Sequence, residues 1–236
     1  MNKITPTSVR NTAIIFFLLL PLAGMAAPDW RGYWERTADP DNPATLIGTR
    51  MSLNDLPAYT PEYAQKWKKI YEVLGTSAAL EYDYGAQCLP WGMPYNMTIP
   101  YSAEIEMRPG QVTIQMELSR EVRRIYTDGR GHKSADAFDP SRNGHSIGRW
   151  EGDTLVVDTV GIVESTQLNG ILSPHSDQLH ITEWIREYKP GFLEIRYRLE
   201  DSKAFAKPYE YKLTWRRIPD KQFEMAEYIC TNTRER

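Results

Sequence analysis

Residues 180–200 read HITEWIREYKPGFLEIRYRLE, and this stretch decides the fold. Its second half alternates cleanly. Leu193, Ile195, Tyr197 and Leu199 share one face of an extended chain, and Glu194, Arg196, Arg198 and Glu200 share the other. The first half sets Ile181, Glu183, Ile185 and Glu187 against His180, Thr182, Trp184, Arg186 and Tyr188. Between the halves, Lys189-Pro190-Gly191 places proline and glycine at the two central positions of a type II turn. So short a reversal joins antiparallel neighbours, because a parallel connection takes about a dozen residues or more.

The same signature recurs from Ser102 onward. Candidate strands are Ala103–Met107, Gln111–Glu117, Glu121–Thr127, Ile147–Trp150, Thr154–Val160, Leu179–Tyr188, Phe192–Glu200, Tyr209–Arg217 and Gln222–Cys230. Arg108-Pro109-Gly110, Asp128-Gly129, Glu151-Gly152-Asp153 and Pro219-Asp220 read as further tight turns. A row of about nine strands leaves two exposed edges unless the sheet closes on itself. The expectation is therefore a mostly β chain, an antiparallel up-and-down barrel of about 8–10 strands. One amphipathic helix precedes it. Thr60 stands at the cap and Pro61 at the first helical position, and Tyr63, Trp67, Ile70, Tyr71 and Leu74 form one stripe before Gly75, which predicts a helix near 61–74.

The composition is globular, with 41% apolar and 25% charged among 236 residues. This excludes disordered and collagen-like classes. The net charge of −3, with no basic block, argues against nucleic acid as a partner. Seven Trp and 14 Tyr point to an aromatic-lined interior. At the N-terminus, Lys3 and Arg10 precede the apolar run Ala13–Leu22, which is too short to span a bilayer, and Gly24-Met25-Ala26 supplies small residues for cleavage. The reading is a signal peptide over 1–26 and a single domain over 27–236, periplasmic or secreted, with no membrane span after cleavage. In such a compartment Cys88 and Cys230 are expected to form a disulfide. No Cys-x-x-Cys, zinc spacing or nucleotide-binding glycine pattern is present, so neither a metal nor a cofactor is expected.

Asp29-Trp30-Arg31-Gly32-Tyr33-Trp34 contains a Gly-x-Trp that resembles the opening of the first strand in lipocalin-like (calycin) barrels. The resemblance implies that Trp34 plugs the closed end under Arg216 or Arg217. A second run, GHSIGRWEGDTLVVDT over 144–159, is similar to the signature of a large family of exported bacterial β-barrel proteins. Arg124 to Arg130 and Glu227 to Cys230 match two further segments of that family. The likeness implies membership and a β-rich fold, and transfers no catalytic residue.

Gly144-His145-Ser146-Ile147-Gly148 is formally a Gly-x-Ser-x-Gly, the nucleophile elbow of α/β-hydrolases. That chemistry needs a strand before the serine and a helix after it. Here a loop precedes and a hairpin follows, and Asp177 and His180 lack the intervening βα units of a triad. The four histidines, His132, His145, His175 and His180, show no metal-binding spacing. Hence a serine hydrolase and a metal enzyme are minor readings.

The leading expectation is a barrel that binds a hydrophobic or aromatic small molecule in its interior. Trp150, Trp184 and Tyr197 would form its walls, and Arg124 and Tyr126 would meet an oxygen of the ligand. The alternative is a cofactor-independent lyase, isomerase or cyclase that pairs His145 or His180 with Glu183 or Asp158 for proton transfer. Glu183 among isoleucines has a bland reading too, an ion pair with an arginine of a neighbouring strand. A third reading, a protein-binding barrel, requires an interior filled by its own side chains. The oligomeric state is left open.

Overall fold

The computed structural model describes residues 28–41, 56–118, 120–134, 137, 139–219 and 221–230. The signal-peptide reading of residues 1–26 lies outside them. Nine strands close into one barrel. They are β1 (Gly32–Thr37), β2 (Ser102–Arg108), β3 (Gln111–Met116), β4 (Val122–Tyr126), β5 (His145–Glu151), β6 (Thr154–Val160), β7 (His180–Lys189), β8 (Phe192–Glu200) and β9 (Tyr209–Arg217). One α-helix, α1 (Pro61–Val73), lies between β1 and β2. Each strand pairs with its sequence neighbour, and β9 returns to β1.

The expected antiparallel barrel is present, with one exception. A closed ring with an odd number of strands cannot be antiparallel at every contact. Here β1 and β9 are antiparallel, so the parallel pair falls elsewhere, at β4 and β5. The segment from Thr127 to Gly144 is long enough to carry the chain back for it. This seam is narrow, with only Ile125↔Ser146 and Tyr126↔Ile147 in register.

The last candidate strand, Gln222–Cys230, is a correction. With β9 hydrogen-bonded to β1 the ring has no edge left, and residues 221–230 run outside it without strand pairing. They are held by Ala226 N–H donating to Glu117 Oε1 at 2.7 Å, by the Arg120–Glu227 ion pair, and by Phe223 against Tyr33. The expected disulfide also ties this tail down. Cys88 and Cys230 are bonded with Cα atoms 5.6 Å apart, across 142 residues of sequence.

Strand alternation settles which faces point inward. Leu155, Val157 and Thr159 of β6, Ile181, Glu183 and Ile185 of β7, and Leu193, Ile195, Tyr197 and Leu199 of β8 are all buried. At one end Trp34 is fully buried, donates Nε1–H to the Trp30 carbonyl at 2.8 Å, and lies 4.3 Å beneath the Arg217 guanidinium. Of the two candidate arginines, Arg217 is the one that meets Trp34. In α1 only Tyr63 and Ile70 of the expected stripe are buried, while half-buried Trp67 and exposed Tyr71 stack on each other. Thr60 precedes the helix with extended backbone, but its hydroxyl donates to the Lys203 carbonyl instead of capping.

Candidate functional site

The Gly-x-Ser-x-Gly sequence is a structural turn and strand. Gly144 has φ +62°, and a Cβ there would stand 2.6 Å from the Val160 carbonyl oxygen, so the turn into β5 requires glycine. Ser146 then points into the barrel, 2.8 Å from Thr159 Oγ1 and within reach of Arg123. No elbow forms, because Ser146 lies within a strand.

The sequence-predicted residues divide between the two faces of the sheet. Glu183 is inside and fully buried, gripped by Arg123 through both of its oxygens. The partner comes from β4, across the barrel, and also bonds Ser146 and Thr159. Glu183 is thus removed from every histidine of the candidate set. Tyr197 is inside and stacks on Tyr211 with centroids 4.7 Å apart. Trp150 packs on Trp30 at 5.0 Å. These two interior ring pairs, Tyr197–Tyr211 and Trp150–Trp30, are engaged with one another. Trp184, Arg124 and Tyr126 face outward instead, so the expectation that they line the lumen is corrected by the alternation of β4 and β7.

His145, Asp158 and His180 also face outward, and there the structure brings them together. Ile147 pairs with Asp158 and Thr182 pairs with Asp158 on its other side, so His145 and His180 lie two residues along on flanking strands. His180 Nε2 stands 2.7 Å from Asp158 Oδ2. A residue outside the candidate set completes the arrangement. His132, from the β4–β5 connection, places Nε2 2.7 Å from Asp158 Oδ1 and Nδ1 2.7 Å from His145 Nδ1. His145, His132, Asp158 and His180 form one continuous chain. Sequence periodicity carries no signal for His132, because its loop has no strand pattern.

The chemistry of the donors fixes most of the protons. An ionised carboxylate only accepts, so both Nε2 atoms at Asp158 carry hydrogen. The His132–His145 contact then holds one proton between two Nδ1 atoms, and its direction reverses with the charge of His132. Asp158 is held below the usual carboxylate range, first by the hydrogen bond from His180, with burial opposing and His132 adding to the effect. The same bond raises His180 above an ordinary histidine. His145 is lowered, by burial first and then by the nearby charges of His132, Lys133 and Arg130. Each contact uses a different atom, so the groups are strung in a line, and among the described residues no set converges as metal ligands.

Tyr126 fixes the end of the chain. Its ring stacks on His145 at 5.5 Å and lies under the Arg130 guanidinium at 4.0 Å. Beside His145 the narrow seam opens a groove of about 320 Å³, lined by Pro90, Glu121, Arg124, Tyr126, Arg142 and His145 among others.

No protein-family profile and no curated protein matches the chain.

Proposed function

We propose that this protein is an exported acid/base enzyme acting on a small molecule held in the groove at the β4–β5 seam. His145 is the proton-exchanging residue, and the reaction is a cofactor-independent elimination, isomerisation or cyclisation. One observation carries the reading: the His145–His132–Asp158–His180 chain ends on the wall of that groove. Burial, with Lys133 and Arg130 nearby, keeps His145 neutral near pH 7, the form a base requires. When its Nε2 takes a proton, the Nδ1 proton is shared with His132, whose other nitrogen leans on the Asp158 carboxylate. The new charge is thereby met by a fixed anion without rearrangement. The disulfide supports an oxidising compartment, and no described helix is long and apolar enough to cross a membrane. The engaged rings of the lumen favour the outer groove over an interior site for the ligand.

The test is depletion of small molecules from an extract of the exported compartment, read by mass spectrometry. Wild type is expected to consume a defined set of masses. His145→Ala is expected to slow this by about 10²–10⁴-fold, the usual worth of a positioned proton transfer, with Asp158→Asn between the two. Equal depletion by all three proteins, or none by wild type, would overturn the proposal.

A further inference from the structure

The charge around the groove is one-sided. Arg124 is exposed on the outer face of β4, and no carboxylate partners it among the described residues. The register of the seam places it well. Ile125 pairs with Ser146 and Tyr126 with Ile147, in parallel, so one step back sets Arg124 beside His145 on the same outer face. Arg142, which also lines the groove, donates to the Pro90 carbonyl at 2.9 Å and lies over the Tyr84 ring, again with no carboxylate partner among the described residues.

Three acids around the groove are committed to other partners. Glu121 is buried and accepts from the Gly92 amide at 3.0 and 3.1 Å and from Asn96. Asp128 is taken by Arg130 at 2.9 Å, and Asp158 by its two histidines. Arg124 and Arg142 therefore line the groove with no ion pair of their own among the described residues.

We infer that the groove recognises a small carboxylate, gripped by Arg124 and Arg142 with its reacting carbon turned to His145. This rests on the acid/base reading above for the reaction, though not for the binding. A planar carboxylate matches the guanidinium fork with two parallel hydrogen bonds. Phosphate, which the same fork can also hold, commonly draws in addition on helix N-termini or runs of backbone amides, and among the described residues no helix end lines this groove. The Tyr126 ring is already in contact with His145 and Arg130.

The experiment is a nuclear magnetic resonance titration of the oxidised protein. Acetate, benzoate and succinate are each compared with their amides, acetamide, benzamide and succinamide, and with inorganic phosphate. At least one carboxylate is expected to shift the Gly144 amide and the His145 ring saturably, about tenfold or more tightly than its amide. Arg124→Gln is expected to weaken that binding by about tenfold or more, with Arg124→Lys between, because a charged hydrogen bond is lost. Arg142→Gln acts in the same direction, and Gly144 shifts persist in His145→Ala. Amides binding as well as carboxylates, phosphate binding more tightly than any of them, no shift from any carboxylate, or indifference to Arg124→Gln would each overturn the inference. The two proposals fail separately. Carboxylate binding without depletion sinks only the catalytic one, and depletion confined to molecules lacking a carboxyl group sinks only this one.

Discussion

Strands β5, β6 and β7 carry two polar clusters on opposite faces of the same ribbon. Inward, Ser146, Thr159 and Glu183 converge on Arg123; outward, His145, Asp158 and His180 string together through His132. The residue types differ less than their surroundings. Inside, Arg123 and Glu183 are sealed from water and hold each other and the Ser146 and Thr159 hydroxyls in fixed hydrogen bonds. Outside, the groups are partly exposed, each contact involves one proton, and histidine titrates in the physiological range. Burial turns the first cluster into architecture and leaves the second free to do chemistry.

The largest effect should come from breaking the inner cluster. Arg123→Met strands the Glu183 carboxylate in the core, and removing one partner of a buried pair typically costs about 3–5 kcal/mol. Arg123→Met/Glu183→Leu should recover most of that loss, since apolar replacements of a buried pair are often neutral. Urea unfolding of the single and double variants measures both. A single variant that loses under about 1 kcal/mol would mean that the two clusters do not differ as argued.

The outer cluster should show itself through pH. His180 has a raised pKa when folded, so its contribution is complete below its unfolded value near 6.5 and disappears as pH rises through the folded one. Asp158 is lowered, so its contribution is complete above about 3.9 and disappears as pH falls through its folded value. Both are present between about pH 4 and 6.5. His180 is 39% exposed, so solvent screening limits the pair to about 1 kcal/mol or less. Asp158→Asn should therefore cost most near pH 5.5 and less at pH 9. A cost that is flat with pH would remove Asp158–His180 from the titrating side of the comparison.

Much of this was legible in residues 102–217, because alternation and turn chemistry are local. The Phe192–Glu200 pattern gave its inward face directly, and Lys189-Pro190-Gly191 gave its reversal. The Trp34–Arg217 contact joins neighbouring strands β1 and β9, and the residue pair expected for it was named from sequence with Arg216 as its alternative. Two features were not legible for a physical reason. The parallel seam follows from closure of an odd ring, a global count that no window contains. His132 belongs to a loop whose path is set by that seam. The ambiguity of β7 likewise resolved only in three dimensions, since Glu183 required Arg123 from across the barrel before its inward placement made sense.

The smallest expected effect concerns how the outer chain is held. Tyr126 stacks on one side of His145 and also carries the Arg130 guanidinium over its ring. An exposed cation–π contact is worth about 0.5–1 kcal/mol, so Tyr126→Leu should cost about that much stability. Its more specific consequence is at His145, whose pKa is lowered first of all by burial. Uncovering one face readmits water, which favours the imidazolium, so the His145 pKa should rise toward the ordinary value near 6.5. Histidine ring resonances followed across pH 4–9 read this directly. His175, fully buried on the far side of the Thr166 hydroxyl, serves as the internal reference, because nothing about it touches Tyr126. If His145 stays put while stability falls, Tyr126 only packs. If His145 rises and His175 does not, the ring is a positioning residue that keeps the end of the chain dry enough to accept a proton.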